Sequence, residues 1–293
     1  MAKLIFGCGY LGMRVAHRWL DAGHDVYATT RSATRAKEFR ALGIHPLVRD
    51  LNSTVVLPEL PSLDTVLFAV GFDRTSGKTI HDVYVEGLRN ALASLPHSFQ
   101  RFIYTSSTGV YGQSDGQWVD EDSPCEPTRD GGCACLAAER LLEAHPRGPR
   151  AIILRLAGLY GPRRIPKWDA VKAGIPLSVE PHGYLNLIHV DDAARIVLAA
   201  EANAKPPCRY LVADGEPVAR GDFYRELARR LAAPSPQFVN PPPGSSAAER
   251  AISSKRVRNA RMRHDLDVTL MYPSYREGLA AIAAHIQTCG SNP

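Results

Sequence analysis

The chain has 293 residues, of which 45% are hydrophobic and 22% are charged. This composition is typical of a folded globular protein with one large domain or a main domain and a small lobe, and it excludes a mainly disordered chain. The formal net charge is +5 at pH 7, but the basic residues are scattered and carry no nucleic-acid-binding signature. We therefore expect no nucleic-acid partner. Binding of an anionic small molecule explains the positive charge at least as well.

The sequence also predicts no membrane association and no metal. No apolar stretch reaches the roughly 18 residues of a membrane-spanning helix, and the N-terminal apolar run ends at Gly7, too early for a secretory signal. The six cysteines form no Cys-x-x-Cys pair, and Cys133 and Cys135 lack further ligands at metal spacing. These features predict a cytoplasmic protein with reduced cysteines.

The first half of the chain alternates short apolar runs with helical patterns. The predicted strands are 4–6, 25–30, 45–48, 65–70, 101–105 and 151–156, and the predicted helices are 13–22, 31–42, 83–95 and 136–144. This alternation predicts a parallel sheet that helices cover on both faces. Residues 130–134 include two glycines, and we expect them to be poor helix material.

Beyond residue 160 the segment 161–188 is rich in glycine, proline and basic residues. The later elements are predicted as a helix at 191–200 capped by Asp191, a strand at 210–212, and helices at 222–231 and 275–286. Residues 234–246 hold five prolines and are predicted to form a mobile loop.

A glycine-rich hexapeptide, Gly-Cys-Gly-Tyr-Leu-Gly at 7–12, follows the first strand and opens the first helix. Gly7 permits a tight turn, Gly9 lets the backbone approach a diphosphate, and Gly12 lets the helix pack closely on the sheet. The helix N-terminus offers amide groups and a partial positive charge to the phosphates. This context favours a dinucleotide site over an ordinary turn. The predicted cofactor-binding residues here are Gly7, Gly9, Tyr10, Leu11 and Gly12.

The end of the second strand decides between NAD and NADP. An acidic residue there would bind the ribose hydroxyls and repel a 2′-phosphate, but the sequence has Thr30 and Arg31 instead. Arg31 can bind the phosphate and Arg35 can join it, so we expect NADP over NAD; a solvated Arg31 is the alternative. Asp50, after the third strand, lies either at the adenine edge or in a turn that it caps.

These features predict a Rossmann-type doubly wound α/β fold with a small C-terminal substrate lobe. Residues 1–160 are predicted to form the NAD(P)-binding domain, to which 186–215 return. The substrate lobe would comprise 161–185 and 216–293. The end of the fourth strand adds three predicted cofactor contacts, Ala69, Val70 and Gly71.

Further motifs follow in the order of a known family. They read Val-Glu-Gly-Leu-Arg-Asn at 85–90, Ser-Ser-Thr-Gly-Val-Tyr-Gly at 106–112, Arg-Leu-Ala-Gly-Leu-Tyr-Gly-Pro at 155–162 and Ile-His-Val-Asp-Asp at 188–192. Together with the glycine loop they resemble the extended short-chain dehydrogenase/reductase superfamily, in its NAD-dependent epimerase/dehydratase group. The resemblance implies an NAD(P)-dependent enzyme, and a homodimer by analogy only.

In that family a Ser, a Tyr and a Lys share the chemistry: the Ser polarises the substrate oxygen, the Tyr moves a proton, and the Lys lowers the pKa of the Tyr. Ser107 matches the serine, but the Tyr-x-x-x-Lys pair falls on Gly131 and Cys135. None of the seven lysines has a Tyr four residues before it. Tyr111 is the nearest candidate acid, unless it packs beside the cofactor or substrate.

The loop after the sixth strand lies at the nicotinamide end in the family, which implies a substrate-side position for Tyr160. Arg163, with Arg164 and Lys167, can bind an anionic substrate such as a nucleotide diphosphate, or these residues form a solvated basic loop. His189 either contacts the substrate or is a hydrogen-bonded core histidine.

Two functions follow as hypotheses. The first is an epimerase/dehydratase-like oxidoreductase with a non-standard active site, acting on a nucleotide sugar or another small carbonyl or hydroxyl compound. The second, motivated by Gly131 and Cys135, is a non-catalytic NAD(P)-binding regulator or scaffold. The C-terminal segments Tyr-Leu-Val-Ala-Asp-Gly-Glu-Pro-Val at 210–218 and Tyr-Pro-Ser-Tyr-Arg-Glu-Gly-Leu at 272–279 resemble small epimerase-like proteins of bacteria. Those proteins have a short substrate lobe, which weakens the case for a nucleotide sugar.

Overall fold

A computed structural model describes residues 1–53, 57–96 and 99–289 of the chain. The strands are β1 (Ala2–Phe6), β2 (Asp25–Thr30), β3 (His45–Val48), β4 (Leu63–Phe68), β5 (Phe99–Ser107), β6 (Gln117–Val119), β7 (Ala151–Leu156), β8 (Gly158–Tyr160), β9 (Leu177–Ser178), β10 (Tyr184–Leu185), β11 (Leu187–His189), β12 (Cys208–Val212), β13 (Val218–Ala219), β14 (Phe238–Val239) and β15 (Lys255–Val257).

The α-helices are α1 (Tyr10–Asp21), α2 (Ala33–Ala41), α3 (Gly87–Ser94), α4 (Asp130–Ala144), α5 (Trp168–Lys172), α6 (Val190–Asn203), α7 (Arg220–Arg230), α8 (Ser246–Ile252), α9 (Ala260–Leu266) and α10 (Tyr275–Cys289). A π-helical turn, Asp82–Glu86, leads directly into α3. Short 3₁₀ turns follow β5 and precede β7.

The central sheet joins seven parallel strands in the order β12-β7-β5-β4-β1-β2-β3 within the described part of the chain. The strand order reverses between β1 and β4, because the chain runs outward from β1 in one direction and then from β4 in the other. This is the predicted doubly wound α/β fold, and the prediction is confirmed.

Helices cover both faces of the sheet. Alternate strand residues point to opposite faces, so Ile5 and Leu67 pack with the apolar sides of α1 and α6, whereas Leu4 and Val66 pack with α3 and α4. All five residues of β1 are buried, as expected for a parallel strand between two helical layers. An apolar core therefore lies on each face of the central sheet.

A third apolar cluster lies outside the main sheet. It unites Tyr160, Leu177 and Leu187 with residues of α7 and α10, such as Phe223 and Leu279. Short strand pairs surround it, namely β10 with β13, β11 with β8, and β14 with β9. The exact division into a cofactor domain and a substrate lobe stays a prediction.

Three predicted elements differ from the structure. α4 begins at Asp130, so the expectation of poor helix material at 130–134 is wrong. α6 is capped by His189, whose Nδ1 accepts the Asp191 N–H at 3.2 Å, so the prediction of an Asp191 cap is wrong. The proline-rich segment 234–246 contains β14, which pairs with β9. Within the described ranges, no helix combines the length and apolarity that a bilayer crossing requires.

Candidate functional site

A cavity of about 670 Å³ opens at the carboxyl edge of the central sheet. It lies between the loops that follow β1 and β4, where the strand order reverses, and ligands of open α/β sheets bind at this point. The predicted site residues that line it are Gly7, Gly9, Tyr10, Leu11, Thr30, Arg31, Arg35, Asp50, Ala69, Val70, Gly71 and Ser107. The predicted site residues outside its lining are Gly12, Tyr111, Tyr160, Arg163 and His189.

The glycine loop leaves room where a diphosphate would lie. Gly7 has φ +84°, and a Cβ there would come within 2.6 Å of the Val70 backbone, so the two loops can meet only through a glycine. A Cβ on Gly9 would meet no described atom within 4 Å. Because Gly9 has no side chain, its backbone borders the cavity directly. A Cβ on Gly12 would lie 2.7 Å from the Gly7 carbonyl oxygen, which explains the close packing of α1.

α1 starts inside the glycine loop, at Tyr10 rather than at residue 13. Its N-cap residue, Gly9, makes no side-chain capping hydrogen bond, and its first turn contains no acidic residue. The first amide groups of α1 therefore keep the partial positive charge of a helix N-terminus. This end of the cavity can hold the pyrophosphate of a dinucleotide.

Two arginines line the cavity where β2 ends. Arg31 donates through Nη2 to Asp73 Oδ2 at 3.2 Å, and both side chains are about half exposed. Arg35 donates to the Cys8 carbonyl oxygen at 3.2 Å. An exposed pair of this kind is weak, so an incoming phosphate can replace Asp73 as the partner of Arg31.

Thr30 and Asp50 combine a place in the cavity wall with a local structural role. Thr30 Oγ1 accepts the Ser32 N–H at 3.2 Å. Asp50 Oδ1 accepts the Asn52 N–H at 3.0 Å, so Asp50 caps a turn as well as lining the cavity, and its place at an adenine edge stays a prediction.

Ser107 ends β5 and lines the other end of the cavity. Its Oγ accepts the Gly109 N–H at 3.0 Å. This bond uses an acceptor site of the hydroxyl and leaves its proton available for a ligand oxygen. Gly132, in the first turn of α4, packs against Gly109, because a Cβ on Gly132 would lie 2.2 Å from the Gly109 oxygen.

Cys135 lines the cavity beside Ser107, but its thiol is inert. Burial and, next, the charge of Glu139 raise its pKa to about 12, so the thiol is neutral at pH 7. A neutral thiol offers neither the fixed positive charge of a lysine nor a ready nucleophile. Gly131 has no side chain to offer, and the nearest atom to a Cβ there is the tip of Ile80, at 3.4 Å.

Tyr111 lies behind the cavity wall in a buried network. Its hydroxyl donates to the Asp120 carbonyl oxygen at 2.8 Å and accepts from Arg155 Nη1 at 2.6 Å. Arg155 in turn pairs with Glu139, and both side chains are 1% exposed. This geometry favours the packing role of Tyr111 over a role as an acid.

The predicted substrate-side residues do not gather at the cavity. Tyr160 is fully buried, and its hydroxyl donates to the Ser274 carbonyl oxygen at 3.5 Å. His189 is buried, and burial lowers its pKa, which favours the core-histidine alternative. Arg163 is exposed outside the lining, whereas the next residue, Arg164, lines the cavity.

Other lining residues escaped the sequence analysis: Cys8, Thr29, Arg49, Asn52, Asp73, Tyr84 and Tyr104. Cys8 and Thr29 adjoin predicted residues, so their positions were a usable signal. Tyr84 directly precedes the motif at 85–90, yet nothing in the sequence shows which helical residue turns toward the cavity.

The fold and the cavity define a class: doubly wound α/β proteins with a ligand cavity at the switch point. The chain belongs to the NAD dependent epimerase/dehydratase family, whose family model matches residues 4–213. It is 31% identical over 243 residues to protein YeeZ of Escherichia coli K12, an alignment that covers 80% of this chain and 86% of YeeZ. The predicted family resemblance is thereby confirmed.

Two solved structures are similar over nearly the whole chain. A conserved protein of unknown function from Silicibacter pomeroyi is 32% identical, with a TM-score of 0.82 over 97% of this chain and 98% of that one. UDP-glucuronic acid 4-epimerase from Bacillus cereus, solved with NAD and a fluorinated UDP-sugar, is 20% identical, with a TM-score of 0.80 over 98% of this chain and 99% of that one. The second likeness shows the fold alone.

Proposed function

We propose that the protein is an oxidoreductase that binds NADP(H) in the switch-point cavity and acts on a small carbonyl or hydroxyl compound. The observation that carries this proposal is one cavity that runs from the uncapped N-terminus of α1 to Ser107. A nicotinamide cofactor, when bound, supplies or accepts a hydride. Ser107 would hold the substrate oxygen through its hydroxyl proton.

NADP(H) is proposed over NAD(H) because of the charges at the end of β2. Arg31 and Arg35 line the cavity there, and a guanidinium binds a phosphate through charge-assisted hydrogen bonds. The end of β2 carries no carboxylate that would repel a 2′-phosphate. Asp73 competes for Arg31 only through a solvated pair.

The cofactor preference is tested with Arg31→Gln. We expect this change to weaken NADPH binding about tenfold or more, since one charge-assisted hydrogen bond contributes about 1.5–3 kcal/mol, and to leave NADH binding within about twofold. Titration calorimetry measures both. Arg40→Gln is the matched control, because Arg40 is exposed on α2 outside the cavity lining. Equal losses for both cofactors, or no loss for NADPH, would contradict the preference.

A nucleotide sugar is the first substrate class to examine. Arg164 in the cavity wall can bind an anionic group, and the structurally similar epimerase from Bacillus cereus was solved with a UDP-sugar. We propose that residues 161–185 and 216–293 cover this substrate. A homodimer and a cytoplasmic location belong to the same proposal.

The second candidate is a non-catalytic NAD(P)-binding regulator or scaffold. Gly131 and Cys135 favour it, because they supply neither an acidic proton at neutral pH nor a fixed charge. Loss of NADPH absorbance with a panel of sugar nucleotides and small carbonyl compounds, including phenanthrenequinone, separates the candidates. Turnover with any compound supports the enzyme. Tight NADPH binding without hydride transfer across the panel supports the regulator.

A further inference from the structure

A tyrosine and a positively charged residue from outside α4 line the same cavity as Ser107. Tyr84 and Arg164 share the cavity wall with Ser107 and Cys135. Tyr84 lies in the turn before α3, and Arg164 lies after β8. The fold therefore brings to one cavity two residues that are distant in sequence. Together they carry what Gly131 and Cys135 lack, a phenol and a fixed positive charge.

The other described tyrosines that line this cavity are engaged elsewhere. Tyr10 belongs to the glycine loop, and its hydroxyl donates to the Pro162 carbonyl oxygen at 2.8 Å. Tyr104 is 2% exposed within the sheet. Tyr84 is only partly buried, so its hydroxyl can meet a ligand without a rearrangement of the core.

The segment that carries Tyr84 borders the first turns of α4. A Cβ on Gly131 would lie 3.4 Å from the side-chain tip of Ile80, and Ile80 lies two residues before the turn that holds Tyr84. Cys135 is close enough to Tyr84 to influence its ionisation. Both positions where the family's pair would stand therefore border the Tyr84 segment.

The backbone around Tyr84 is specialised. Asp82–Glu86 form a π-helical turn, a rare geometry that occurs mostly as single turns, often at functional sites. Its start is fixed by reciprocal hydrogen bonds, since Asp82 Oδ2 accepts the Thr79 N–H at 3.0 Å and Thr79 Oγ1 accepts the Asp82 N–H at 3.1 Å. These bonds fix the backbone from which the Tyr84 side chain extends.

We propose that Tyr84 is the proton-transfer residue of this protein and that Arg164 is the positioning residue that stabilises its phenolate. The proposal rests on the proposed oxidoreductase function and names the acid that this function needs. The pair replaces the family's Tyr-x-x-x-Lys with residues from two other loops of the same cavity.

The chemistry balances in the reductive direction. The reduced cofactor, when bound, supplies a hydride with its electron pair to a substrate carbonyl carbon and is left oxidised. Tyr84 gives its hydroxyl proton to the carbonyl oxygen, so the product is an alcohol. The positive charge of Arg164, which lines the same cavity, would stabilise the phenolate that remains, and the phenolate regains a proton from water.

The ionisation of Tyr84 suits an acid at neutral pH. Burial and the nearby Cys135 raise its pKa above the usual value, whereas the Phe72 backbone N–H and the Arg164 guanidinium lower it. The proton is therefore present at pH 7. The rate of reduction should fall as the pH rises through the pKa of Tyr84, because the acid form is the one that reacts.

Fluorine NMR of protein labelled with fluorotyrosine tests the position of Tyr84 without turnover. The Tyr84 signal is identified by its loss in Tyr84→Phe, and that of Tyr27, which lies outside the cavity lining, by its loss in Tyr27→Phe. We expect the Tyr84 signal to shift on binding of NADPH and to shift differently with NADP⁺, whose ring is charged. The Tyr27 signal should stay in place. NADPH binding without a Tyr84 shift would overturn the proposal.

Kinetics with the panel compound that the wild type reduces fastest test the proton transfer. Tyr84→Phe should lower kcat about 100-fold or more and leave the NADPH Kd within about twofold, and it should remove the high-pH fall in rate. Tyr27→Phe should match the wild type. A kcat for Tyr84→Phe within twofold of wild type would refute the assignment.

Arg164→Gln and Arg40→Gln form a matched pair, because both arginines are exposed and only Arg164 lines the cavity. We expect Arg164→Gln to lower kcat about tenfold and to move the high-pH limb to higher pH, since an opposite charge nearby favours the phenolate. Arg40→Gln should change neither. Equal effects of the two changes would remove Arg164 from the proposal. A wild type that transfers no hydride at all would instead refute the oxidoreductase function itself.

Discussion

Arg155 and Glu139 show how single residues fix the end of β5, where Ser107 lines the cavity. Arg155 donates to both carboxylate oxygens of Glu139, at 3.0 and 2.6 Å. Glu139 also accepts from Ser106 at 2.5 Å, and Arg155 donates to Tyr111. Because Ser106 adjoins Ser107, this buried pair fixes the end of β5.

Arg155→Met should strongly destabilise the protein. It removes the bidentate cation of the buried Glu139 carboxylate and leaves it only the longer 3.9 Å contact with Arg209. Breaking a buried pair in this way costs about 3–5 kcal/mol of unfolding free energy, measured by urea denaturation. Arg140→Met, an exposed change on α4, should stay within about 0.5 kcal/mol of wild type. The double variant Arg155→Met with Glu139→Leu should recover most of the loss. A single variant as stable as the control would contradict this role.

At the scale of elements, the first turn of α4 depends on one of its two glycines. Gly132 meets the Gly109 oxygen and the Pro127 ring so closely that a Cβ would lie 2.2 and 2.8 Å from them. A Cβ on Gly131 would lie 3.4 Å from the side-chain tip of Ile80, which is an ordinary contact distance. The helix can therefore approach the turn after Ser107 only at Gly132.

Gly132→Ala should therefore destabilise the protein by about 1–3 kcal/mol, the usual cost of overpacking. Gly131→Ala should be neutral or stabilising by up to about 1 kcal/mol, because alanine is the better helix former. Thermal and urea unfolding of the two variants measure the difference. Similar unfolding free energies for both would show that the close approach has no energetic importance.

Local patterns predicted the elements of the sheet, but not the contacts between distant loops. The glycine loop was predictable because its strand, turn and helix are adjacent in sequence. Tyr84 and Arg164 line one cavity only because two connections that are distant in sequence end at the same sheet edge, and the π-helical turn has no sequence signature. The first turn of α4 was missed because tertiary packing against Gly109 outweighs the low helix propensity of glycine.

At the scale of the whole molecule, Asp214 is a buried carboxyl group at the end of the last strand of the central sheet. It follows β12 and is 4% exposed, with Oδ1 accepting the Glu216 N–H at 3.0 Å. Its Oδ2 has no hydrogen-bond partner among the described residues. Burial is the main cause that raises its pKa to about 8, and the charges of Glu216 and Glu277 add to it.

The contribution of Asp214 to the stability of the protein should fall as the pH rises from about 4 to 8. In that range the folded protein keeps the Asp214 proton, whereas the unfolded chain loses it near 3.8, the ordinary pKa of an aspartate, so the unfolded state binds fewer protons. The contribution is at most about 1.4 kcal/mol per pH unit. Asp214→Asn should flatten the slope, measured by urea unfolding across this range. The same slope in both proteins would contradict a proton held on Asp214.

The overall architecture was predictable because alternating strands and helices admit few topologies. The position of side chains between the sheet and the C-terminal elements was not. Tyr160 was expected on the substrate side, and His189 either there or in the core, and the packing of α10 and α6 buries both. Of the described residues beyond 160, Arg164 is the one that lines the cavity, and no clear sequence pattern marks it.

NADPH binding by the wild type and by Gly9→Ala tests the cofactor site most directly. The alanine Cβ meets no described atom within 4 Å, so the unfolding free energy should change by less than about 1 kcal/mol. The same Cβ points into the space proposed for the diphosphate, so the NADPH Kd, measured by titration calorimetry, should rise at least about tenfold. A wild type that binds neither NADPH nor NADH, or a Gly9→Ala variant that binds NADPH as tightly as the wild type, would contradict a dinucleotide site at this loop.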